Sequence, residues 1–337
     1  MTAMWAVRDI ATAAFSAVLC AGFIVLLRPV LRRYALARPN VRSSHREPTP
    51  QGGGIAVIAA TIAAACLGIF GFGAAMTPPP AIVVAAVVLM AFVGAVDDIR
   101  PLDVTPRLLL QALSIGAVIY ALTEQLRPLP VLPWWLERVV LFFAGLWFVN
   151  LVNFMDGIDW MTVVEVVPIA AALAVIGYLG ALPLDGVPVA LALGGAVLGF
   201  AYFNRPVAKL FLGDVGSLPV GLLLGWLLAL LAGTGNLAAA LLLPLYYLAD
   251  ATVTIFRRLL KGEPVWQAHR THFYQLATER GFSVSDVVGR VFVVNVGLCV
   301  LAVASILADV PLADVAALLL GAAMVTWLLV TFARGKK

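Results

Sequence analysis

Apolar runs long enough to cross a membrane fill this sequence, and they leave only a few folds open. The 337 residues are 63% hydrophobic and only 12% charged, whereas a soluble domain is about half apolar and a quarter charged. Each span needs ~20 mostly apolar residues, and backbone groups in hydrocarbon must be satisfied within helices or closed barrels. Runs this long and continuous favour helices. The sequence therefore predicts an all-α, polytopic membrane protein.

We place about eleven transmembrane helices along the chain. Alternate loops then form two sets, which hold nineteen and three of the 22 Lys and Arg residues. Because Lys and Arg accumulate in cytoplasmic loops, the first set is predicted to be cytoplasmic, with the N-terminus outside and the C-terminus cytoplasmic. The expected spans are residues 9–31, 53–76, 81–97, 107–124, 136–155, 161–180, 187–203, 217–233, 236–257, 285–307 and 311–332.

A single membrane domain over residues 1–337 is the simplest organisation, since we find no internal repeat. Five polar motifs separate the apolar runs, and all five fall in the cytoplasmic set of loops. Polar groups near a bilayer need partners, which makes such motifs candidates for function, although turns are also rich in Asn, Asp and Gly. We expect the active site on residues 34–52, 97–107, 150–160, 203–217 and 258–285.

Carboxylates are the most informative members of these motifs. Asp97 and Asp98 end the third span, where adjacent like charges repel each other and meet the negative end of the helix dipole. We expect a cationic partner there, either a metal ion or a bound cationic group. Hard oxygen ligands indicate Mg²⁺ or Mn²⁺, which binds one or two carboxylates together with substrate phosphates. A pair of surface aspartates is the alternative.

The central motif, residues 150–160 (NLVNFMDGIDW), places two Asn, two Asp and one Gly between two apolar runs. A polar turn without function is the simpler interpretation of this composition. Farther along, Asp214 lies between glycines at the start of the eighth span. It can cap that helix and bind a ligand at the same time.

Two basic motifs accompany the acids. Residues 42–54 (RSSHREPTPQGGG) include His45 and glycines that let backbone N–H groups approach a ligand, although a solvated basic loop fits equally well. His269, Arg270 and His272 offer charge and imidazole donors that would clamp an anion, although a solvated loop fits them equally well, and two histidines alone do not complete a zinc site. Asp250 lies in the ninth span, where a structural role is open and Arg257, two helical turns later, is one candidate partner.

Together these residues place carboxylates, Arg and His on one membrane face. Metal-assisted phosphoryl transfer uses such a set, because carboxylates hold the metal and basic groups stabilise the transferring phosphate. A transporter is the main alternative. Transporters place ionisable residues near the midplane on broken helices, whereas most acids here lie at helix ends.

In these motifs the sequence resembles the polyprenyl-phosphate N-acetylhexosamine-1-phosphate transferases of glycosyltransferase family 4. The resemblance implies Mg²⁺-dependent transfer of an N-acetyl-sugar-1-phosphate from a UDP-sugar to undecaprenyl or another polyprenyl phosphate, with release of UMP. The matching residues are the Asp97–Asp98 pair, residues 150–159, residues 211–217, His269 to His272 and, more loosely, residues 48–54.

Carried over by motif, the resemblance implies three sets of site residues. The implied catalytic residues are Asp97, Asp98 and Asp156. The implied metal ligands are Asp214, Asp98 and Asp156. The implied or expected substrate-binding residues are Asn150, Asn153, His45, Arg107, His269, Arg270 and His272.

The family has more than one branch. The form of the histidine motif and the eleventh span resemble the branch that starts O-antigen and other surface polysaccharides, and phospho-N-acetylmuramoyl-pentapeptide transferases are the alternative. The resemblance implies a multi-pass protein of the bacterial inner membrane, with the UDP-sugar and the lipid phosphate as its partners. No nucleic-acid partner is expected, a homodimer is compatible with this interpretation, and the sugar stays open.

Overall fold

The computed structural model describes residues 2–37, 48–70, 78–183, 185–264 and 269–336. Apart from loops and one two-stranded sheet, these residues form helices. The elements in chain order are α1 (Thr2–Tyr34), β1 (Leu36–Ala37), β2 (Thr49–Pro50), α2 (Gly53–Phe70), α3 (Pro78–Ile99), α4 (Val104–Ala121), α5 (Trp134–Met155), α6 (Met161–Tyr178), α7 (Gly186–Asn204), α8 (Asp214–Gly233), α9 (Leu237–Leu242), α10 (Leu245–Leu260), α11 (Phe273–Glu279), α12 (Val284–Ala308) and α13 (Pro311–Arg334).

The predicted all-α polytopic fold is confirmed. In the described part of the chain, nine helices are long and apolar enough to cross a membrane, and α2 is a shorter apolar helix. The expected ninth span, residues 236–257, is wrong as a single helix, because it breaks into α9 and α10 at Leu243 and Pro244. Proline lacks the N–H that a continuing helix needs. The count of eleven spans and the sides of the two termini stay predictions.

Helices α6, α7 and α8 form the centre of the bundle and are largely buried. The N-terminal helix α1 lies against α7, and α8 contacts α2, α3 and α5. Small residues allow the α1–α7 contact: a Cβ atom added at Gly195 or Gly199 would lie 2.2 or 2.3 Å from the carbonyl oxygens of Ala13 and Ala17. In a membrane the hydrophobic effect does not bring helices together, and small residues let them pack this closely.

Gly199→Ala should therefore lower the thermal unfolding midpoint of the detergent-solubilised protein. The added methyl group would collide with the Ala17 carbonyl group, and overpacking of this kind costs about 1–3 kcal/mol. Gly22→Ala is the matched control, because no atom lies within 4 Å of a Cβ added at that helical position. An unchanged midpoint for Gly199→Ala would contradict the close α1–α7 contact.

One end of the bundle gathers the polar loops. The carboxyl ends of α3, α5 and α7 meet the starts of α2, α6 and α8 there. Strand β2 continues into a parallel bridge between Gln51 and Phe211, and the backbone N–H groups of Gly53 and Gly54 donate to Phe211 and Leu212 at 2.9 and 2.8 Å. Helix ends and helix starts therefore meet at this end of the bundle, as the alternating directions of the predicted spans require.

Candidate active site

A polar cavity with a volume of about 230 Å³ lies at this end of the bundle. Four predicted site residues line it, namely Asp98, Asn153, Asp156 and Asp214. The remaining lining residues are Gln51, Gly157, Ile158, Asp159, Asn204, Phe211, Leu212, Gly213 and Ser217.

Asp98 caps the N-terminus of α8. Its two carboxylate oxygens accept hydrogen bonds from the backbone N–H groups of Asp214 and Val215, at 2.9 and 3.1 Å. The Gln51 side chain donates a third hydrogen bond at 3.0 Å. Unpaired N–H groups and the helix dipole stabilise an anion at this position. We expected a metal ion or a bound cation to compensate Asp98, and the structure shows that the start of α8 does so.

Gly213 makes this cap sterically feasible. Its φ of +77° lies in a region that favours glycine. A Cβ atom added there would lie 2.5 Å from Oδ2 of Asp98. The glycine before Asp214 therefore lets the carboxylate of α3 approach the first turn of α8.

Asp97 stabilises the loop between α3 and α4. Its carboxylate accepts a hydrogen bond from the backbone N–H of Leu102 at 2.6 Å and pairs with Arg107 at 3.2 Å. Arg107, a predicted substrate-binding residue, is thus engaged with Asp97 and does not line the cavity. The Asp97 and Asp214 carboxyl groups lie within electrostatic range of each other. Two acids therefore influence one another beside the cavity.

Asn153 connects the end of α5 to the start of α8. Its side-chain amide donates to Oδ1 of Asp214 at 2.8 Å and to the hydroxyl of Ser217 at 2.9 Å. One oxygen of Asp214 is held by these contacts from the α5 side. The predicted site residues Asn153 and Asp214 therefore act together in orienting a carboxylate towards the cavity.

Asp156 follows the last residue of α5 and is partly buried beside the cavity. Burial raises the pKa of its carboxyl group to about 7, the hydrogen bond from Thr162 lowers it, and the nearby charges of Asp98 and Asp159 raise it. The Thr162 hydroxyl contacts Oδ1 of Asp156 directly. A cation in the cavity would favour the charged carboxylate, because an opposite charge nearby stabilises the ionised form.

Asp159 and Trp160 fasten the central motif to the loop between α7 and α8. The Asp159 carboxylate accepts from the backbone N–H of Ala208 at 3.0 Å. The backbone N–H of Trp160 donates to the Asn204 side chain at 2.8 Å, and its indole N–H donates to the carbonyl of Ala201 at 2.7 Å. These contacts hold Trp160 at a φ of +64°, a conformation that is unusual for a bulky residue.

Asp250 organises the histidine motif. Its carboxylate accepts from the backbone N–H groups of Phe273 and Tyr274 at 2.9 and 3.2 Å. Asp250 thus caps α11, as Asp98 caps α8. The candidate pairing with Arg257 does not form, since that guanidinium lies over the Phe273 ring, 5.1 Å from its centroid. The residue before α11, His272, is buried with Nδ1 3.4 Å from Oδ1 of Asp250.

The histidine motif contacts the central motif through residues that do not line the cavity. The Tyr274 hydroxyl donates to the carbonyl of Phe154 at 2.9 Å. A Cβ atom added at Gly157 would lie 2.0 Å from the hydroxyl oxygen of Tyr274. His269 stacks on His272 with ring centroids 4.8 Å apart. Arg270 forms an ion pair with Glu279 at 3.4 Å. This motif therefore supports the loop that carries Asp156, and its basic side chains do not line the cavity.

Asn150 is separate from the cavity. Its side-chain amide donates to the Gln111 side chain and to the carbonyl of Leu146, both at 2.8 Å. This buried pair joins α4 to α5. His45 lies outside the described residues. The roles that the resemblance implies for the substrate-binding set stay predictions, and the geometry brings Asn153 of that set into the cavity.

Several cavity residues were missed as site residues by the sequence reasoning. Gln51, Asn204 and Ser217 all lie within motifs that the sequence marked. The Gln51 amide donates to Asp98, the Asn204 side chain accepts from the backbone N–H of Trp160, and the Ser217 hydroxyl accepts from Asn153. Their position beside Asp and Gly was the available signal, but contacts between distant loops decide which of them reach the cavity.

The donor set fits a hard divalent cation. The acids near the cavity offer carboxylate oxygens, and Mg²⁺ prefers such ligands, usually with waters and substrate phosphates. Within the described residues, no group of three or more His, Cys, Asp or Glu side chains is arranged to hold a metal. One or two carboxylates with a phosphate would form the usual Mg²⁺ site, and Asp214, which lines the cavity with Asp97 within electrostatic range, is the best protein ligand.

Comparison with known proteins agrees with the motif order. Residues 80–232, which carry α3 to α8 and all four predicted acids of the cavity region, match the family described as glycosyl transferase family 4. Over these residues the chain is similar to that family. The family resemblance inferred from the sequence motifs is thereby confirmed.

Two curated relatives illustrate the range of the family. The chain is 26% identical over 290 residues to a protein of Bacillus subtilis (strain 168) named probable undecaprenyl-phosphate N-acetylglucosaminyl 1-phosphate transferase, covering 77% of this chain and 75% of the relative. It is 30% identical over 205 residues to the phospho-N-acetylmuramoyl-pentapeptide-transferase of Streptococcus pneumoniae (strain 70585). That match spans 56% of this chain and about three fifths, 61%, of the relative.

Proposed function

We propose that this chain transfers an N-acetyl-sugar-1-phosphate from a UDP-sugar to a polyprenyl phosphate and releases UMP. The observation that carries the proposal is the group of carboxylates around one polar cavity at the end of a membrane bundle, contributed by the family's motifs. The reaction would be a first membrane step in the synthesis of a surface polysaccharide at the bacterial inner membrane. The names of both relatives describe transferases of this chemical class.

An apolar cavity supports a lipid acceptor. It has a volume of about 360 Å³ and lies between α4, α5, α8, α9 and α10. Both cavities use the same faces of two helices: Val149 and Asn153 lie one turn apart on α5, and Gly221 and Ser217 lie one turn apart on α8. A lipid phosphate with its chain in the apolar cavity would direct its headgroup along the α5–α8 contact towards the carboxylates.

The chemistry is a displacement at phosphorus. An oxygen of the lipid phosphate forms a bond to the sugar-bearing phosphorus, and the bond from that phosphorus to the UMP oxygen breaks, so that UMP leaves with the electron pair. Asp214, held by Asn153, and Asp97 would hold Mg²⁺, with Asp156 on the same cavity. A bound Mg²⁺ would neutralise charge on the diphosphate.

Asp98 has a supporting part in this arrangement. Both of its oxygens accept backbone N–H groups of α8, so it fixes the position of Asp214. We favour direct attack by the lipid phosphate, since this route needs the chain to bind and orient two phosphates and to stabilise charge.

The test uses purified protein with Mg²⁺, a polyprenyl phosphate and a panel of UDP-N-acetyl sugars, with identification of the released nucleotide. We expect UMP, released only when lipid and donor are both present, and loss of turnover when EDTA removes the metal and its return when Mg²⁺ is added. Release of UDP would mean transfer of the sugar alone and would contradict the proposal. No nucleotide from any donor would contradict it as well.

Phospho-N-acetylmuramoyl-pentapeptide transfer is the second candidate, because one relative carries that name. The donor panel separates the two. We expect a UDP-N-acetylhexosamine to be the best donor, and preference for UDP-N-acetylmuramoyl-pentapeptide would favour the second candidate.

A further inference from the structure

A buried ion pair fastens the α4–α5 loop, residues 122–133, at the end of α5 that is opposite the carboxylates. Oε1 of Glu137, a fully buried residue in the first turn of α5, accepts from the backbone N–H of Leu129 at 2.7 Å, and its Oε2 pairs with Arg127. The Arg127 guanidinium also donates to the carbonyl of Leu132 at 2.7 Å. One carboxylate thus ties two points of the loop to α5.

The first half of the same loop is held as well. Arg138, the next residue of α5, donates to the carbonyls of Thr123 and Leu126 at 3.2 and 3.5 Å. Leu126 packs on the end of α8, where a Cβ atom added at Gly233 would lie 2.9 Å from Cβ of Leu126. The α4–α5 loop is therefore fixed against both α5 and α8. A carboxylate is costly to bury, which makes a role for this arrangement worth seeking.

The α4–α5 loop forms one wall of the apolar cavity, through Pro128 and Leu129. On α8 the lining of this cavity runs from Gly221 to Ala232, about 16 Å at the rise of 1.5 Å per helical residue. It begins one turn beyond Ser217, which lines the polar cavity. The apolar cavity therefore extends from the neighbourhood of the carboxylates to the loop, which we call its far wall.

The volume of this cavity limits how much of a polyprenyl chain it can hold. A cavity of about 150 Å³ holds one benzene ring, so a cavity of about 360 Å³ holds roughly 14 carbons on the same scale. Three isoprene units of five carbons each match this size. A longer chain has to leave the cavity, and Ala144 of α5 and Leu241 of α9 are lining residues that are themselves exposed on the bundle surface.

We propose that the apolar cavity binds the three isoprene units nearest to the acceptor phosphate, and that Glu137 is a positioning residue for the third of them. Glu137 acts through the α4–α5 loop, because its carboxylate holds the backbone of Leu129 in the far wall. The remainder of the chain lies outside the cavity, in the bilayer. The inference rests on the proposed function in so far as the acceptor is a polyprenyl phosphate, and the binding measurement below does not depend on transfer.

The first test compares geranyl, farnesyl and undecaprenyl phosphate, whose chains have two, three and eleven isoprene units. Binding is followed by the rise in the thermal unfolding midpoint of the solubilised protein during titration with each compound. Ala229→Leu would fill the far half of the cavity, because Ala229 lines it about two turns beyond Gly221. We expect this variant to bind the two longer phosphates at least about tenfold more weakly, since each buried methylene is worth about fourfold in affinity. Geranyl phosphate should bind within about twofold of wild type.

Glu137→Gln tests the far wall itself. One of the two acceptor oxygens becomes an amide nitrogen, which cannot accept, so either Arg127 or the N–H of Leu129 loses its partner. We expect farnesyl phosphate to bind about fourfold more weakly, the value of one methylene contact, and geranyl phosphate to bind as in wild type. Leu129→Ala shortens the wall and leaves the ion pair in place. It should show the same dependence on chain length, and it decides the question if Glu137→Gln does not fold.

Each variant has a matched control. Gly22→Leu is the control for Ala229→Leu, because no atom of the described chain lies within 4 Å of a Cβ added at Gly22. Leu132→Ala is the control for Leu129→Ala, since Leu132 belongs to the same loop but does not line the cavity. Both controls should bind all three phosphates as wild type does.

A variant effect that is equal for all three chain lengths, or absent for farnesyl phosphate, would overturn the proposal. A midpoint shift with phosphatidylglycerol that equals the shift with undecaprenyl phosphate, and that Ala229→Leu removes, would overturn it as well, because a bilayer lipid would then be the occupant. If the wild-type protein binds the three phosphates with the expected length dependence but transfers no sugar phosphate to them, the proposed function fails while the assignment of the apolar cavity stands.

Discussion

Asp214→Asn should reduce turnover by at least about 100-fold. Loss of one group that stabilises charge in the transition state has an effect of this size. A neutral amide is a poor ligand for Mg²⁺, which prefers charged oxygen donors. The change is otherwise conservative, because the new Oδ1 can still accept from Asn153 and the backbone N–H can still donate to Asp98. Turnover with the preferred donor, measured at several Mg²⁺ concentrations, checks this expectation.

In the Asp214→Asn variant, thermal stability should not fall with activity. The Asp97 and Asp214 carboxyl groups lie within electrostatic range of each other, and nearby like charges destabilise a fold when no cation separates them. In EDTA, the Asp214→Asn protein should therefore unfold at the wild-type midpoint or above it. In Mg²⁺ the wild-type midpoint should rise more than that of the variant, because a ligand stabilises the state that binds it.

Asp185→Asn is the matched control for Asp214→Asn. Asp185 precedes α7 at the end opposite the cavity, is exposed, and makes no side-chain cap hydrogen bond. Its replacement should leave turnover and the response to Mg²⁺ unchanged. Near-normal turnover of Asp214→Asn would refute the assignment of Asp214 as a metal ligand.

The bundle and the end that carries the site could be predicted from hydropathy. Apolar runs specify helices in a bilayer, and each crossing reverses direction, so alternate polar motifs had to meet at one end. The order of the motifs also identified the family before the comparison did. The break in the ninth span was harder to predict, since Pro244 ends a helix there whereas Pro168 and Pro219 lie inside the continuous helices α6 and α8.

The partners of the acids could not be predicted from the sequence. Asp98 and Asp250 each accept backbone N–H groups from the start of another helix, at separations of 116 and 23 residues for Asp214 and Phe273. A helix start offers the same positive end whichever sequence it has. Which carboxylate reaches which helix start depends on packing. At Gly213, for example, a side chain would collide with the Asp98 carboxylate.

The histidine motif shows the same limit. Charge and imidazole groups in residues 269–272 fitted an anion clamp or a solvated loop equally well, yet His272 is buried against Asp250 and Tyr274. Side chains that favour phosphates in isolation also serve as packing groups. Exposure, which the sequence does not specify, separates the two uses.

Asp98→Asn should lower both turnover and stability, in contrast to Asp214→Asn. One of the two atoms that now accept the N–H groups of Asp214 and Val215 would become an amide nitrogen, which cannot accept. Loss of a cap costs about 0.5–2 kcal/mol, and a buried donor left without a partner costs about 1–3 kcal/mol. Because Asp214 is the first residue of α8, its carboxylate would move as well, and we expect turnover to fall at least about 100-fold. The unfolding midpoint and kcat of the same preparation provide the measurement.

Asp103→Asn is the control for Asp98→Asn, because Asp103 is exposed in the neighbouring loop and makes no side-chain cap hydrogen bond to α4. It should keep the wild-type midpoint. The combination of the two measurements separates two roles for Asp98. A lower midpoint with lost turnover supports the cap, whereas a wild-type midpoint with lost turnover would mean that Asp98 acts on the substrate or the metal. In that case the hydrogen bonds to α8 would be secondary, and the catalytic role that the family resemblance implies for Asp98 would be the better account.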